Sequence, residues 1–122
     1  MKIKSAELPT IYIPEFNGNK DLPTDEQIVV HVNKHISNLQ LAGYKKFEFD
    51  GAKTSVKYDN IAIFRYHVGK IDNLEDGKGK IDSGVKLADS TTKELYDLMI
   101  EIRDWLINVS EPLPEGESKA SE

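Results

Sequence analysis

The residues of this sequence that could do chemistry are three histidines and many carboxylates. His31 and His35 stand four residues apart, which on a helix would place two metal ligands on one face, but His31 falls in a predicted strand and no third ligand lies nearby. His67 and Asp72 would be a candidate acid–base pair, yet no nucleophile or motif fixes their geometry. The sequence therefore predicts no catalytic residue, no metal site and no cofactor.

Two glycine-containing stretches match ligand-binding loops only in part. Asp72–Gly77 begins like a calcium-binding loop, but Leu74 occupies its third position and Ser83 its twelfth, where a carboxylate is needed. Gly77–Lys80 is followed by Ile81, so the hydroxyl residue of a phosphate-binding loop is missing. We interpret the second stretch as a turn and expect that the protein is not an enzyme.

Composition narrows the class of protein further. The chain has 122 residues, of which 39% are hydrophobic and 30% charged, and it contains no cysteine. These values predict one domain over residues 1–110, followed by a disordered acidic tail over residues 111–122. The net charge of −5 argues against nucleic acid as a partner, and no stretch approaches the ~20 apolar residues of a membrane span. We expect a cytoplasmic protein.

The first half of the chain reads mainly as β-structure. Leu8–Pro14 is bracketed by prolines and suits an extended edge strand, and Gln27–Val32 is a β-branched run that predicts a second strand. Residues 33–43 fit neither a helical nor a strand period. Their structure stays open at this point.

A hairpin is predicted in the centre of the chain. Lys45–Phe49 and Lys53–Tyr58 are alternating runs, and Asp50-Gly51 between them favours a two-residue type I′ turn. That turn puts the apolar side chains of both strands on one face. The predicted opposite pairs are Phe49 with Ala52, Phe47 with Thr54, and Lys45 with Val56.

Ile61–Val68 admits two interpretations. A tight turn at Asp59-Asn60 would pair this segment with the hairpin as the third strand of a meander. A helix is the alternative, because apolar residues from Ile61 to Ile71 also recur at helical spacing. The enrichment in β-branched and aromatic residues favours the strand.

The last element is a helix from about Thr92 to Val109, preceded by the capping-box pattern of Thr91 and Glu94. Together these elements predict an α+β fold. In it, a small antiparallel meander packs against one long C-terminal amphipathic helix, and the N-terminal segment is extended.

This helix has an apolar arc wider than the ~100° of an ordinary surface helix. Either the rest of the chain covers the whole arc, or part of it around the tryptophan is an interface. Under the second interpretation, the partner-binding residues are Leu98, Ile102, Trp105, Leu106 and Val109.

Polar residues on the opposite side of the helix form a narrow stripe that is largely acidic. It includes Glu94, Asp97, Glu101 and Asp104. Like charges three or four residues apart on a helix repel one another, and a basic partner surface would offset that repulsion. The alternative is a solvated face with no partner.

The run RYHVGKIDNLEDGKGKI, residues 65–81, and the helix and polar tail that follow it resemble small tail-assembly proteins of tailed bacteriophages. In those proteins an apolar strand leads into an acidic turn, a short linker, one amphipathic helix and a polar tail. The hairpin of residues 47–58 has no counterpart in that pattern.

The resemblance implies a non-enzymatic protein that binds phage tail or other virion proteins, such as apolar segments of the tape measure, and assists tail assembly in the host bacterial cytoplasm. Binding to a second copy of the chain is also compatible with it. Two alternatives remain open: a permanent virion component such as a connector or completion protein, and a small hydrolase.

Overall fold

The structure is a computed structural model that describes residues 7–110. The tail predicted over residues 111–122 lies outside the described residues. The strands are β1 (Ile11–Tyr12), β2 (Val29–Val32), β3 (Lys45–Asp50), β4 (Lys53–Tyr58), β5 (Val68–Asp72), β6 (Glu75–Asp76) and β7 (Gly79–Lys80). The α-helices are α1 (Asn38–Tyr44), α2 (Asn60–His67), α3 (Gly84–Asp89) and α4 (Lys93–Ser110). The α+β class predicted from the sequence is confirmed.

The central sheet is antiparallel, with the strand order β1-β2-β5. Val30 in the middle strand lies opposite Tyr12 on one side and Ile71 on the other. β1 is an edge strand, as predicted for Leu8–Pro14, because the flanking prolines cannot donate to a ladder. β3 with β4 and β6 with β7 form two further hairpins.

The predicted third strand of a meander, Ile61–Val68, is wrong. Residues 60–67 form α2, and the Asp59 carboxylate caps this helix by accepting a hydrogen bond from the N–H of Ala62 at 3.2 Å. The capped start favours a helix over the tight turn that the meander required.

Burial gives the second reason for the helix. Ile63, Phe64 and His67 fall on one face of α2, and all three are fully buried. α2 contacts α1, α3, α4 and β5, so it lies at the centre of the fold. Packing of this face outweighs the β-propensity of the residues, which depends on context.

The stretch of residues 33–43 contains α1, which begins with a capping box. The Ser37 hydroxyl accepts a hydrogen bond from the N–H of Gln40, and the Gln40 side chain accepts one from the N–H of Ser37. Leu41 is the buried residue of this helix. With seven residues, α1 makes only about two turns, which is too short for apolar periodicity to reveal the helix in the sequence.

The predicted hairpin is present, but its register differs by two residues from the expected one. Asp50 lies opposite Lys53, so Gly51 and Ala52 are the two turn residues. Gly51 has φ +61° and Ala52 has no positive φ, which fits a type II′ turn with glycine first rather than type I′. Phe49 therefore faces Thr54 and Phe47 faces Val56.

α4 agrees with the predicted helix to within one residue at each end. Thr92, rather than Thr91, precedes its first residue, and the carbonyl of Thr92 accepts from the N–H of Leu95. The helix packs against α2, α3 and the 3-10 segment Phe16–Asp21. Among residues 7–110, no helix is long and apolar enough to cross a membrane.

Gly84, at the start of α3, permits the closest approach in the core. A Cβ atom at this position would lie 2.6 Å from the carbonyl oxygen of Phe64 and 2.7 Å from the Cβ of Val68. The first of these neighbours is a backbone atom, which can move only if the backbone shifts. Glycine is therefore required here, because there is no room for a Cβ atom.

We expect Gly84→Ala to lower the free energy of unfolding by about 1–3 kcal/mol, because overpacking forces backbone shifts. Gly43→Ala is the matched control: it lies in α1 with no atom within 4 Å of a new Cβ, and alanine favours a helix. Urea denaturation of both variants measures the difference. Equal stability of Gly84→Ala and the natural protein would contradict the close approach.

Candidate functional site

The hairpin of β3 and β4, residues 45–58, extends away from the rest of the protein, and we call it the arm. Residues 46–57 are all exposed, on both faces of the hairpin. A two-stranded hairpin alone is marginally stable in water. The arm therefore depends on its base for its position.

One face of the arm is apolar. It carries Phe47 opposite Val56 and Phe49 opposite Thr54. Phe47 is 59% exposed, Phe49 77% and Val56 44%. Large apolar side chains that stay in water at neighbouring positions are characteristic of protein-binding surfaces.

The other face of the arm is charged. Lys46 lies opposite Lys57, and Asp50 lies opposite Lys53. The Lys57 ammonium pairs with the Glu48 carboxylate at 3.1 Å, and both side chains remain more than half exposed. The arm is therefore amphipathic, although residues 46–57 stay exposed on both of its faces.

Contacts at the base of the arm join its two ends to each other and to the domain. The N–H of Asp59, just after β4, donates to the carbonyl of Tyr44, just before β3, at 2.9 Å. On the α4 side, the Arg103 guanidinium lies 5.1 Å from the centroid of the Tyr58 ring and donates to the Asn60 side chain. The base is thus joined to both α1 and α4.

His67 completes the base from inside the core. Its Nδ1 lies 2.7 Å from the carbonyl oxygen of Lys34, and its Nε2 lies 2.9 Å from the Tyr44 hydroxyl. Since a carbonyl can only accept, Nδ1 carries the proton and Nε2 accepts from the Tyr44 O–H in the neutral ring. Burial lowers the pKa of His67 below its ordinary value of 6.5.

The structure distributes the five predicted partner-binding residues between core and surface. Leu98 and Leu106 are 0% exposed and Ile102 is 1% exposed, so these three are core residues with no surface for a partner. α2, α3 and the 3-10 segment cover them. Trp105 and Val109 are half-buried and keep part of their surface.

The N-terminal segment covers Trp105. The Tyr12 ring stacks on the indole with a centroid distance of 4.6 Å and an angle of 18°. The Tyr12 hydroxyl also donates to the Glu101 carboxylate at 2.5 Å, and the N–H of Glu15 donates to the same carboxylate at 2.8 Å. Burial and this hydrogen bond to Glu101 raise the pKa of Tyr12. Trp105 is therefore part of an internal contact.

The acidic stripe of α4 is only partly free. Glu101 binds the N-terminal segment as described, and Asp104 accepts hydrogen bonds from the Arg103 guanidinium at 3.0 Å. Glu94 and Asp97 are exposed. The like-charge repulsion predicted along the helix is thus relieved within the chain at two of its four carboxylates.

The histidines singled out in the sequence occupy three different environments. His31 pairs with Asp72 at 2.8 Å, His35 contacts the carbonyl of Pro9, and His67 is the buried ring at the base of the arm. Among residues 7–110, no three His, Asp or Glu side chains lie close enough together to share a metal ion.

A polar cavity of about 730 Å³ lies beside Asp72, between the loop at Thr24–Glu26 and strand β5. Hydrogen bonds from His31 and Lys70 hold the pKa of Asp72 below its ordinary value. The Asp72 carboxylate therefore stays ionised, and the Lys70 ammonium at 3.1 Å compensates its charge. Ligand pockets are usually apolar with a few polar groups, whereas charged side chains from both β-strands and loops line this one.

We expect Trp105→Ala to lower the free energy of unfolding by about 2 kcal/mol, because it removes the stacking partner of Tyr12 and opens a gap beside α4. Tyr96→Ala is the matched control, since Tyr96 is a 56% exposed aromatic residue on the same helix, and it should change stability little. Urea denaturation compares them. An unchanged unfolding midpoint for Trp105→Ala would instead favour the interface interpretation.

We expect the free energy of unfolding to fall as the pH drops below about 6.5, because the unfolded chain then binds a proton that buried His67 resists. The lowered pKa in the folded state gives this sign, since stability rises with pH wherever the unfolded state binds more protons. His67→Phe should remove this component from the pH profile, whereas His35→Gln, a change at a half-buried ring outside the base of the arm, should retain it. Titration of the His67 ring at or above 6.5 by NMR would contradict the assignment.

Comparison of the chain with protein-family models, with curated proteins and with solved structures finds no match in any of the three. The geometry of the arm is therefore the main observation on which a function can be argued.

Proposed function

We propose that this protein is a non-enzymatic protein-binding protein and that its arm makes the partner contact. The observation that carries the proposal is the exposure of Phe47 and Phe49 on a hairpin whose residues 46–57 are all exposed. Aromatic residues are enriched at the centres of protein interfaces, where they contribute much of the binding energy.

The size of the apolar face is appropriate for an anchor. A phenylalanine side chain can bury 150–250 Å², so the exposed parts of Phe47, Phe49 and Val56 amount to roughly 300 Å². At about 25 cal/mol per Å², complete burial of that surface would contribute about 7 kcal/mol before the costs of association. A partner with a complementary groove could use most of it.

Two arms alone would make a poor dimer. Face-to-face contact between the apolar faces of two copies would bury roughly 600 Å², whereas stable interfaces bury about 1,200 Å² or more. The arm therefore suits insertion into a larger surface on another protein better than pairing with itself.

The resemblance of residues 65–81 to phage tail-assembly proteins supports tail or other virion proteins as the partner class. These residues run from the end of α2 through β5 and the β6–β7 hairpin, and α3 and α4 follow. The order of strand, turn and amphipathic helix in that family is compatible with this arrangement. In this role the arm would cover an apolar segment of a tail protein until assembly.

A permanent virion component, such as a connector or completion protein, is the second candidate, because an anchoring arm serves a lasting interface equally well. Mass spectrometry of purified particles distinguishes the two roles, since only a structural component remains in the mature particle. Neither role requires a catalytic residue.

We expect the double change Phe47→Ser and Phe49→Ser to abolish capture of tail proteins co-expressed from the neighbouring genes, while the free energy of unfolding changes little. Both side chains are exposed, so their loss leaves the core intact. Tyr96→Ser is the matched control, because it removes an exposed aromatic residue outside the arm. Affinity purification followed by mass spectrometry measures capture.

Undiminished capture by the stably folded double variant would refute the arm as the binding surface. Loss of capture by Tyr96→Ser alone would move the interface to α4.

A further inference from the structure

The arm and the segment that follows α4 carry opposite charge. Four lysines and two carboxylates give residues 45–58 a net charge of +2, which leaves −7 for the other 108 residues of a chain of net charge −5. Residues 111–122, which lie outside the described part of the structure, contain four glutamates and one lysine, a net charge of −3. The acidic segment and the basic arm are thus complementary in charge.

The end of α4 brings this segment close to the arm. The N–H of Ile36 donates to the hydroxyl of Ser110, the last residue of α4, at 3.3 Å. Ile36 directly precedes the capping residue of α1, and α1 leads without a break into β3. The acidic segment therefore starts beside the first turn of the helix that carries the arm.

The length of the segment is sufficient to follow the arm to its tip. The seven residues of α1 span about 10 Å and the six residues of β3 about 20 Å. Twelve extended residues reach about 40 Å. The twelve residues after Ser110 are therefore enough to span the distance to the tip of the arm.

We propose that residues 111–122 dock on the arm of the same chain when no partner is bound. The glutamates pair with lysines of the charged face, and Leu113 supplies an apolar contact. Among residues 7–110, Lys46 and Lys53 form no ion pair, so both can accept such partners. This inference rests on the proposed function, because the docked segment and the partner would compete for the same arm.

Because the segment belongs to the same chain as the arm, weak contacts are sufficient for docking. Exposed ion pairs each contribute little and are screened by salt. Covalent attachment to α4, however, gives the segment an effective concentration of order millimolar near the arm. Docking therefore requires a dissociation constant no higher than the millimolar range, and a partner protein can displace a contact of that strength.

The absence of cysteine from the chain permits a direct test on all 122 residues. A nitroxide attached at Ser118→Cys becomes the only spin label, and NMR then measures paramagnetic broadening of each backbone amide. We expect loss of the amide signals of Phe47 and Phe49 and of their neighbours in the arm. The same label in a chain with Glu111→Gln, Glu115→Gln, Glu117→Gln and Glu122→Gln should leave those signals intact.

Unbroadened arm amides in the labelled 122-residue chain would overturn the inference. Broadening that appears only when labelled and isotope-enriched chains are mixed would also overturn it, because the segment would then dock on a second copy. Tail-protein capture that depends on Phe47 and Phe49, with no docking, would leave the proposed function standing. Docking with no capture would refute the proposed function alone.

Discussion

The position of the arm depends on the buried imidazole of His67. Its two nitrogens bind Lys34 ahead of α1 and Tyr44 at the end of α1, and its own carbonyl accepts from the N–H of Asn33 at 2.9 Å. One side chain of α2 therefore fixes the segment on which the arm is mounted. Burial lowers the pKa of this ring and so favours the neutral form, in which Nδ1 donates to Lys34 and Nε2 accepts from Tyr44.

A division of roles follows from this arrangement. The core residues belong to the central sheet, the four helices and the loops, and β3 and β4 contribute none to it. The side chains of residues 46–57 can therefore change without disturbing the packing of the domain. Stability is concentrated in one part of the molecule, and the exposed aromatic surface in another. That separation suits a binding element, because its side chains must complement the surface of a partner and do not have to pack in the core.

Elements with strong local sequence signals could be predicted, whereas elements whose structure depends on burial could not. α4 has a clear period and a capping pattern, and the Asp50-Gly51 turn marks a hairpin whatever its register. The apolar spacing from Ile61 to Ile71 pointed to a helix, but the eight residues of α2 are too few for that periodicity to prevail over β-propensity, and the cap at Asp59 was interpreted as a tight turn. The exposure of Phe47 and Phe49 could not be predicted, because alternation shows that a hairpin has two faces but not whether anything covers them.

The same comparison explains why the arm is the better candidate than α4. Most of the wide apolar arc of α4 is covered in the folded chain by α2, α3, the 3-10 segment and the Tyr12 ring, and Tyr96 stays 56% exposed. The arm has no such cover. Phenylalanine loses little side-chain freedom on binding, and a hairpin already holds its backbone extended, so contact through this face would carry a small ordering cost. Exposure in the fold, rather than amphipathicity in the sequence, identifies the surface suited to a partner.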